Sequence, residues 1–94
     1  MSYVKLMADY CSSGVWGQDG VSVEIDSLPI PFWLKTMITE WVAVYDRTGM
    51  DSDFDDGTFT KLGRALAIKM KQNLPPYWMV VYYAEDTGQR EIIQ

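Results

Sequence analysis

The chain has 94 residues, is 48% apolar and 14% aromatic, and carries a net charge of −5. That length supports one domain, residues 1–94, with a single modest core, and its apolar content excludes a disordered chain. Only eight Lys and Arg stand against 13 Asp and Glu, and they are scattered, so the clustered cations that nucleic acid or an anionic membrane surface would need are missing.

Tyr3 to Tyr10 alternates weakly, with Val4, Leu6 and Ala8 on one side and Tyr3, Lys5, Met7 and Asp9 on the other. The spacing predicts a first strand over Tyr3 to Tyr10, half buried and half wet. Lys5 and Asp9 also interrupt any apolar run, which excludes a signal-peptide core or a membrane span there. Cys11 is the only cysteine, so no disulfide forms within the chain and the expected compartment is the cytoplasm. With no histidine in the sequence to activate it, Cys11 reads as an inert thiol.

Val15 and Trp16 are separated from Val21, Val23 and Ile25 by Gly17, Gln18, Asp19 and Gly20, a hairpin pattern whose second arm alternates with Ser22, Glu24 and Asp26. Pro29 and Pro31 suit a helix start, where a missing amide hydrogen costs nothing. From Pro31 to Thr48, the residues Leu34, Met37, Ile38, Trp41 and Tyr45 recur at steps of three and four, the stripe of an amphipathic helix centred on Trp41. Gly49 is placed to close that helix.

The densest charge follows at Asp51, Asp53, Asp55 and Asp56, immediately before a second helical run from Phe54 to Asn73. Carboxylates there accept hydrogen bonds from free amide hydrogens and oppose the helix dipole. The same spacing invites a calcium-loop reading, which fails because the sixth position is Asp56 in place of glycine and the twelfth is Leu62 in place of Glu. Phe59, Leu62, Leu66, Met70 and Leu74 form the second stripe, and Gly63 beside it marks a close approach to the first helix. Lys61, Arg64, Lys69 and Lys71 read as a solvated face.

Pro75 and Pro76 stop the helix, and Tyr77 to Glu85 reads as a strand apolar on both sides, hence central in its sheet. Helices would cover one side, with Trp16 or a second chain over part of the other. Asp86 to Gln89 make a turn and Arg90 to Gln94 return as a short edge strand. The expected fold is therefore α+β: two antiparallel helices packed on one face of a three- to four-stranded, mostly antiparallel sheet.

No phosphate-binding glycine loop, nucleophile motif or metal-ligand spacing occurs, so neither an enzyme nor a cofactor is expected. Asp9 with Glu85 or Asp86 is a pair of carboxylates the strand ends would bring near one another, but without a pocket they read as surface charges.

The segments KLMADYCSSGVW at 5–16, LPIPFWLKTMITEW at 28–41, VYDRTG at 44–49, FTKLGRALAIKMKQNLPPYWMVVYY at 59–83 and AED at 84–86 carry a resemblance to a family of small bacterial proteins associated with immunity in polymorphic toxin systems. Pro31 stands where that family has a polar helix cap. The resemblance implies a cytoplasmic, non-catalytic inhibitor that protects its producer by covering the active surface of a toxin. An acidic chain suits a basic toxin domain, and the expected contact residues are Asp51, Asp53, Asp55 and Asp56, or the aromatics Trp16 and Tyr83. The alternative is a self-associating assembly module, a homodimer formed through the two-sided apolar strand.

Overall fold

The computed structural model describes residues 2–9, 12–48 and 55–94. Strand β1 (Tyr3–Leu6) and a two-residue β2 (Val15–Trp16) are followed by a 3-10 turn at Ile25–Ser27, helices α1 (Phe32–Thr48) and α2 (Asp56–Asn73), and strands β3 (Met79–Tyr83) and β4 (Arg90–Ile93). The four strands form one sheet in the order β2-β1-β3-β4. β1 runs parallel to β3 and the two outer pairs are antiparallel, so two of the three pairings are antiparallel, as expected. The parallel pairing arises because β1 and β3 are joined across the whole helical layer, which carries the chain back to its starting end.

Register sorts the side chains into two faces. Val4 lies opposite Val80, which lies opposite Ile93, and Leu6 lies between Val15 and Tyr82. All six are buried and belong to one apolar cluster with the helices. From α1 that cluster takes Leu34, Ile38, Trp41 and Val42; from α2 it takes Phe59, Leu66, Ala67 and Met70. Tyr45 meets Phe59 while Trp41, one turn earlier on α1, meets both Phe59 and the Gly63 backbone, so α2 runs back antiparallel along α1.

The helix starts have local causes. At α1 the Pro31 carbonyl accepts the amide hydrogens of Leu34 at 3.1 Å and Lys35 at 3.2 Å. The Lys35 ammonium reaches the Asp26 carbonyl at 3.2 Å, tying the helix to the 3-10 turn. At α2 the Asp55 carboxylate accepts the Thr58 amide at 3.0 Å and the Thr58 hydroxyl at 2.7 Å. The C-terminus of α2 closes with the Leu74 amide on the Met70 carbonyl before Pro75 and Pro76.

Two stripe residues differ from expectation. Met37 is 40% exposed and Leu62 is 57% exposed, whereas Val42, outside the expected stripe, is 3% exposed. Val42 is covered because Gly14, at φ +84°, turns the chain against it; a Cβ on Gly14 would collide with a Val42 methyl. The expected hairpin is also shortened. Its second arm is reduced to one bridge between Trp16 and Ser22, with the Val23 amide donating to the Val15 carbonyl at 2.9 Å, and Ile25 has already entered the 3-10 turn. Val21 is left 61% exposed, and although Val23 and Ile25 pack against the core, the arm keeps only that one bridge to β2. The two central strands are shorter than expected from the sequence, β1 ending at Leu6 and β3 spanning Met79–Tyr83. Tyr10, Cys11, Gly49 and Phe54 lie outside the described residues.

Candidate partner-binding surfaces

The helices cover one side of the sheet, and among the described residues no other element packs over the opposite side. There, Trp16, Lys5, Val81 and Ile92 stand in one cross-strand row, flanked by the pairs Tyr3 with Met79 and Tyr83 with Arg90. Val81 is 5% exposed although it lies outside the helix-side core. Met79 and Ile92 are exposed, while Trp16 and Tyr83 are half-buried. The Trp16 indole N–H donates to the Met7 carbonyl at 2.9 Å, which holds the ring against the strand. The structure thus brings Trp16 and Tyr83 onto one face with only β1 between their strands, a juxtaposition that follows from the β2-β1-β3 order.

Asp55, the described carboxylate of the acidic stretch, belongs to the opposite layer. Asp55 is exposed at the start of α2, and the Thr58 backbone amide, followed by the Thr58 hydroxyl, holds its carboxyl below the usual carboxylate range. Asp51, Asp53 and the side chain of Asp56 lie outside the described residues. Since α2 packs on the Val80 and Tyr82 side of the sheet, Asp55 and the Trp16–Tyr83 face belong to separate surfaces.

A third surface lies where the sequence reading placed none. On the solvent side of the helices a groove of about 400 Å³ runs between α1 and α2, with Met37, Glu40 and Val44 on one wall and Leu62, Ala65 and Lys69 on the other. Its signal is present in the sequence as residues one step off each core stripe: Trp33, Met37, Glu40 and Val44 recur at helical spacing, as do Leu62, Ala65 and Lys69.

A polar cleft of about 390 Å³ lies between α2 and the turn joining β3 to β4, bordered by Thr60, Arg64, Tyr82, Asp86 and Glu91. Arg64 donates two hydrogen bonds to Glu91, at 2.9 and 2.7 Å. The pair raises the Arg64 pKa and lowers that of Glu91, so both stay charged and engaged with one another. The Tyr82 hydroxyl donates to the Thr60 carbonyl at 2.9 Å, and burial pushes its pKa above the usual phenol range. A neutral, bonded tyrosine beside a closed ion pair supplies neither an activated nucleophile nor a poised base. Among the described residues, no three His, Cys, Asp or Glu side chains are grouped to hold a metal ion, and no helix is long and apolar enough to cross a membrane.

The family model described as "Serratia CdiI immunity protein-like" matches residues 2–85. The chain belongs to that family. No curated protein matches the sequence. The matched span of this immunity protein-like chain takes in both helices, β1, β2 and β3, and therefore the open sheet face up to Tyr83 together with the acidic stretch. β4 begins at Arg90, beyond it.

Proposed function

We propose that this chain is a non-catalytic immunity protein that neutralises a cognate bacterial toxin in the cytoplasm by covering the toxin's active surface. The observation that carries the reading is the family match over residues 2–85. In the polar cleft Arg64 and Glu91 are paired with one another and the Tyr82 hydroxyl is bonded to the Thr60 carbonyl, which supports a binding role over a catalytic one. The net charge of −5 suits a basic toxin domain, toward which it would steer encounter.

Of the two surfaces expected from the sequence, the acidic stretch at Asp51, Asp53, Asp55 and Asp56 is the favoured contact. Trp16 and Tyr83 are half-buried in their own sheet, whereas Asp55 is exposed at the start of α2. Asp55 also caps α2, so a charge-reversed test chain keeps it and changes Asp51, Asp53 and Asp56 to Lys. The test is co-expression with the toxin candidate encoded beside this gene. The parent should restore growth and the folded triple variant should not. A parent that fails to protect would overturn the immunity reading, and equal protection by both chains would move the contact to the open sheet face.

A further inference from the structure

The outer side of the helical layer is apolar and covered by nothing among the described residues. Met37 and Val44 lie along one line of α1 at 40% and 38% exposure, with Trp33 a turn before Met37 at 49%, and Leu62 shares the groove with Met37 and Val44 from α2 at 57%. Each wall of the groove between them carries one charge of opposite sign: Glu40 on α1 and Lys69 on α2. Neither has an ion-pair partner among the described residues.

We propose that this face docks a second copy of the chain, two helical hairpins meeting across a two-fold axis. An acidic wall opposite a basic wall is self-complementary. A two-fold axis along the groove lays the α1 wall of each copy over the α2 wall of the other, so Glu40 meets the Lys69 wall twice. A partner of uniform charge, such as a basic toxin, would match one wall and repel the other, which favours a second copy as the occupant. The area is adequate. Helices of 17 and 18 residues are about 26 Å long at 1.5 Å per residue, and two side by side span about 20 Å. Their footprint is roughly 500 Å² per copy, or about 1,000 Å² in total, at the lower bound for a specific interface. The dimer is therefore reversible, and it leaves the open sheet face uncovered.

Sedimentation equilibrium on the purified full chain, up to millimolar concentration, tests this without any toxin, so its outcome is independent of the immunity reading. The parent should show a monomer–dimer equilibrium. Glu40→Lys and Lys69→Glu should each raise the dimer dissociation constant about tenfold or more, because each places like charges together twice. The double exchange should restore it, and Leu62→Glu should abolish the dimer. Circular dichroism should show all four variants folded, since these side chains lie outside the buried cluster. A parent that stays monomeric throughout would overturn the proposal. So would a dimer indifferent to these substitutions, one not restored by the double exchange, or one broken by Ile92→Glu on the sheet face.

Discussion

Trp41 stacks on Phe59 with ring centroids 4.5 Å apart and planes 11° from parallel, while its indole N–H donates to the Phe59 carbonyl at 3.1 Å. One side chain of α1 thereby holds both a ring and a backbone group in the first turns of α2. It also lies within 6.4 Å of the Tyr82 ring centroid, which extends the contact to the central strand. Packing and polar satisfaction converge on this point, since the only polar atom of a large buried side chain finds an acceptor on the neighbouring helix.

Replacing Trp41 with Ala should cost about 3–5 kcal/mol, the range for emptying a large aromatic site, and would consume much of the stability of so small a domain. Urea denaturation followed by far-ultraviolet circular dichroism reads the loss as a lower midpoint. A midpoint equal to the parent's would show that Trp41 does not anchor the core.

Gly63→Ala should also destabilise, against the usual preference of helices for alanine. A Cβ at Gly63 would collide with Trp41 Cζ2 and the Tyr82 hydroxyl, and would lie 2.9 Å from Trp41 Cε2. Overpacking of that kind costs about 1–3 kcal/mol, enough to outweigh the gain of about 1 kcal/mol in helix propensity. Thermal unfolding of the variant should show a lower midpoint; a rise would mean that the tryptophan can move aside.

Trp41 and Gly63 are legible in the sequence because a tryptophan at the centre of an apolar helical stripe must be covered, and a glycine inside a helix costs stability unless a neighbour needs the space. Met37 and Leu62 are misplaced by the same periodicity. They border the core stripes on the side where the helices part, and spacing by itself does not separate a core position from a groove wall. That ambiguity also hides the groove. Val42 escapes the stripe because its cover, the loop at Gly14, comes from outside its helix. The shared face of Trp16 and Tyr83 depends on strand order, which no local pattern specifies once a parallel pair is joined through two helices. The alternation of Val21, Val23 and Ile25 promises a strand, but an arm needs a partner and a packed face as well as a pattern.

Tyr82→Phe should lower stability by about 1 kcal/mol at neutral pH through loss of the hydrogen bond to the Thr60 carbonyl. The pH dependence has a defined sign. Burial raises the folded-state pKa of Tyr82 above its unfolded value, so the stabilisation tied to its neutral form is complete below the unfolded value and is lost as pH rises beyond it. The stability difference between parent and variant, measured by denaturation at several alkaline pH values, should therefore shrink in that window. A difference that widens would reverse the assignment.

Asp55→Asn separates charge from capping, because asparagine caps helices about as well as aspartate. Thr58 depresses the folded-state pKa of Asp55, so the ionic part of its contribution is present above the unfolded value and is lost as pH falls through the folded one. The parent should be the more stable chain at neutral pH, with thermal midpoints converging in acid. Midpoints that stay apart below the carboxylate range would place the effect in geometry.

The last prediction concerns how the toxin contact fails when its two candidate surfaces are altered separately. Carboxylates at the rim of an interface mainly accelerate encounter, so changing Asp51, Asp53 and Asp56 to Lys should slow association and weaken its dependence on salt, with little change in dissociation. An aromatic anchor acts on the formed complex, so if Tyr83 were buried against the toxin, Tyr83→Ala would speed dissociation and cost about 2 kcal/mol or more of affinity. Asp55 and Tyr83 lie on opposite layers of the sheet, so the two candidate surfaces can be altered separately. Surface-binding kinetics with the purified toxin domain at two salt concentrations distinguish the cases. Slower, less salt-sensitive association in the triple variant alone supports the acidic stretch; faster dissociation in Tyr83→Ala alone assigns the contact to the open sheet face and overturns the favoured surface.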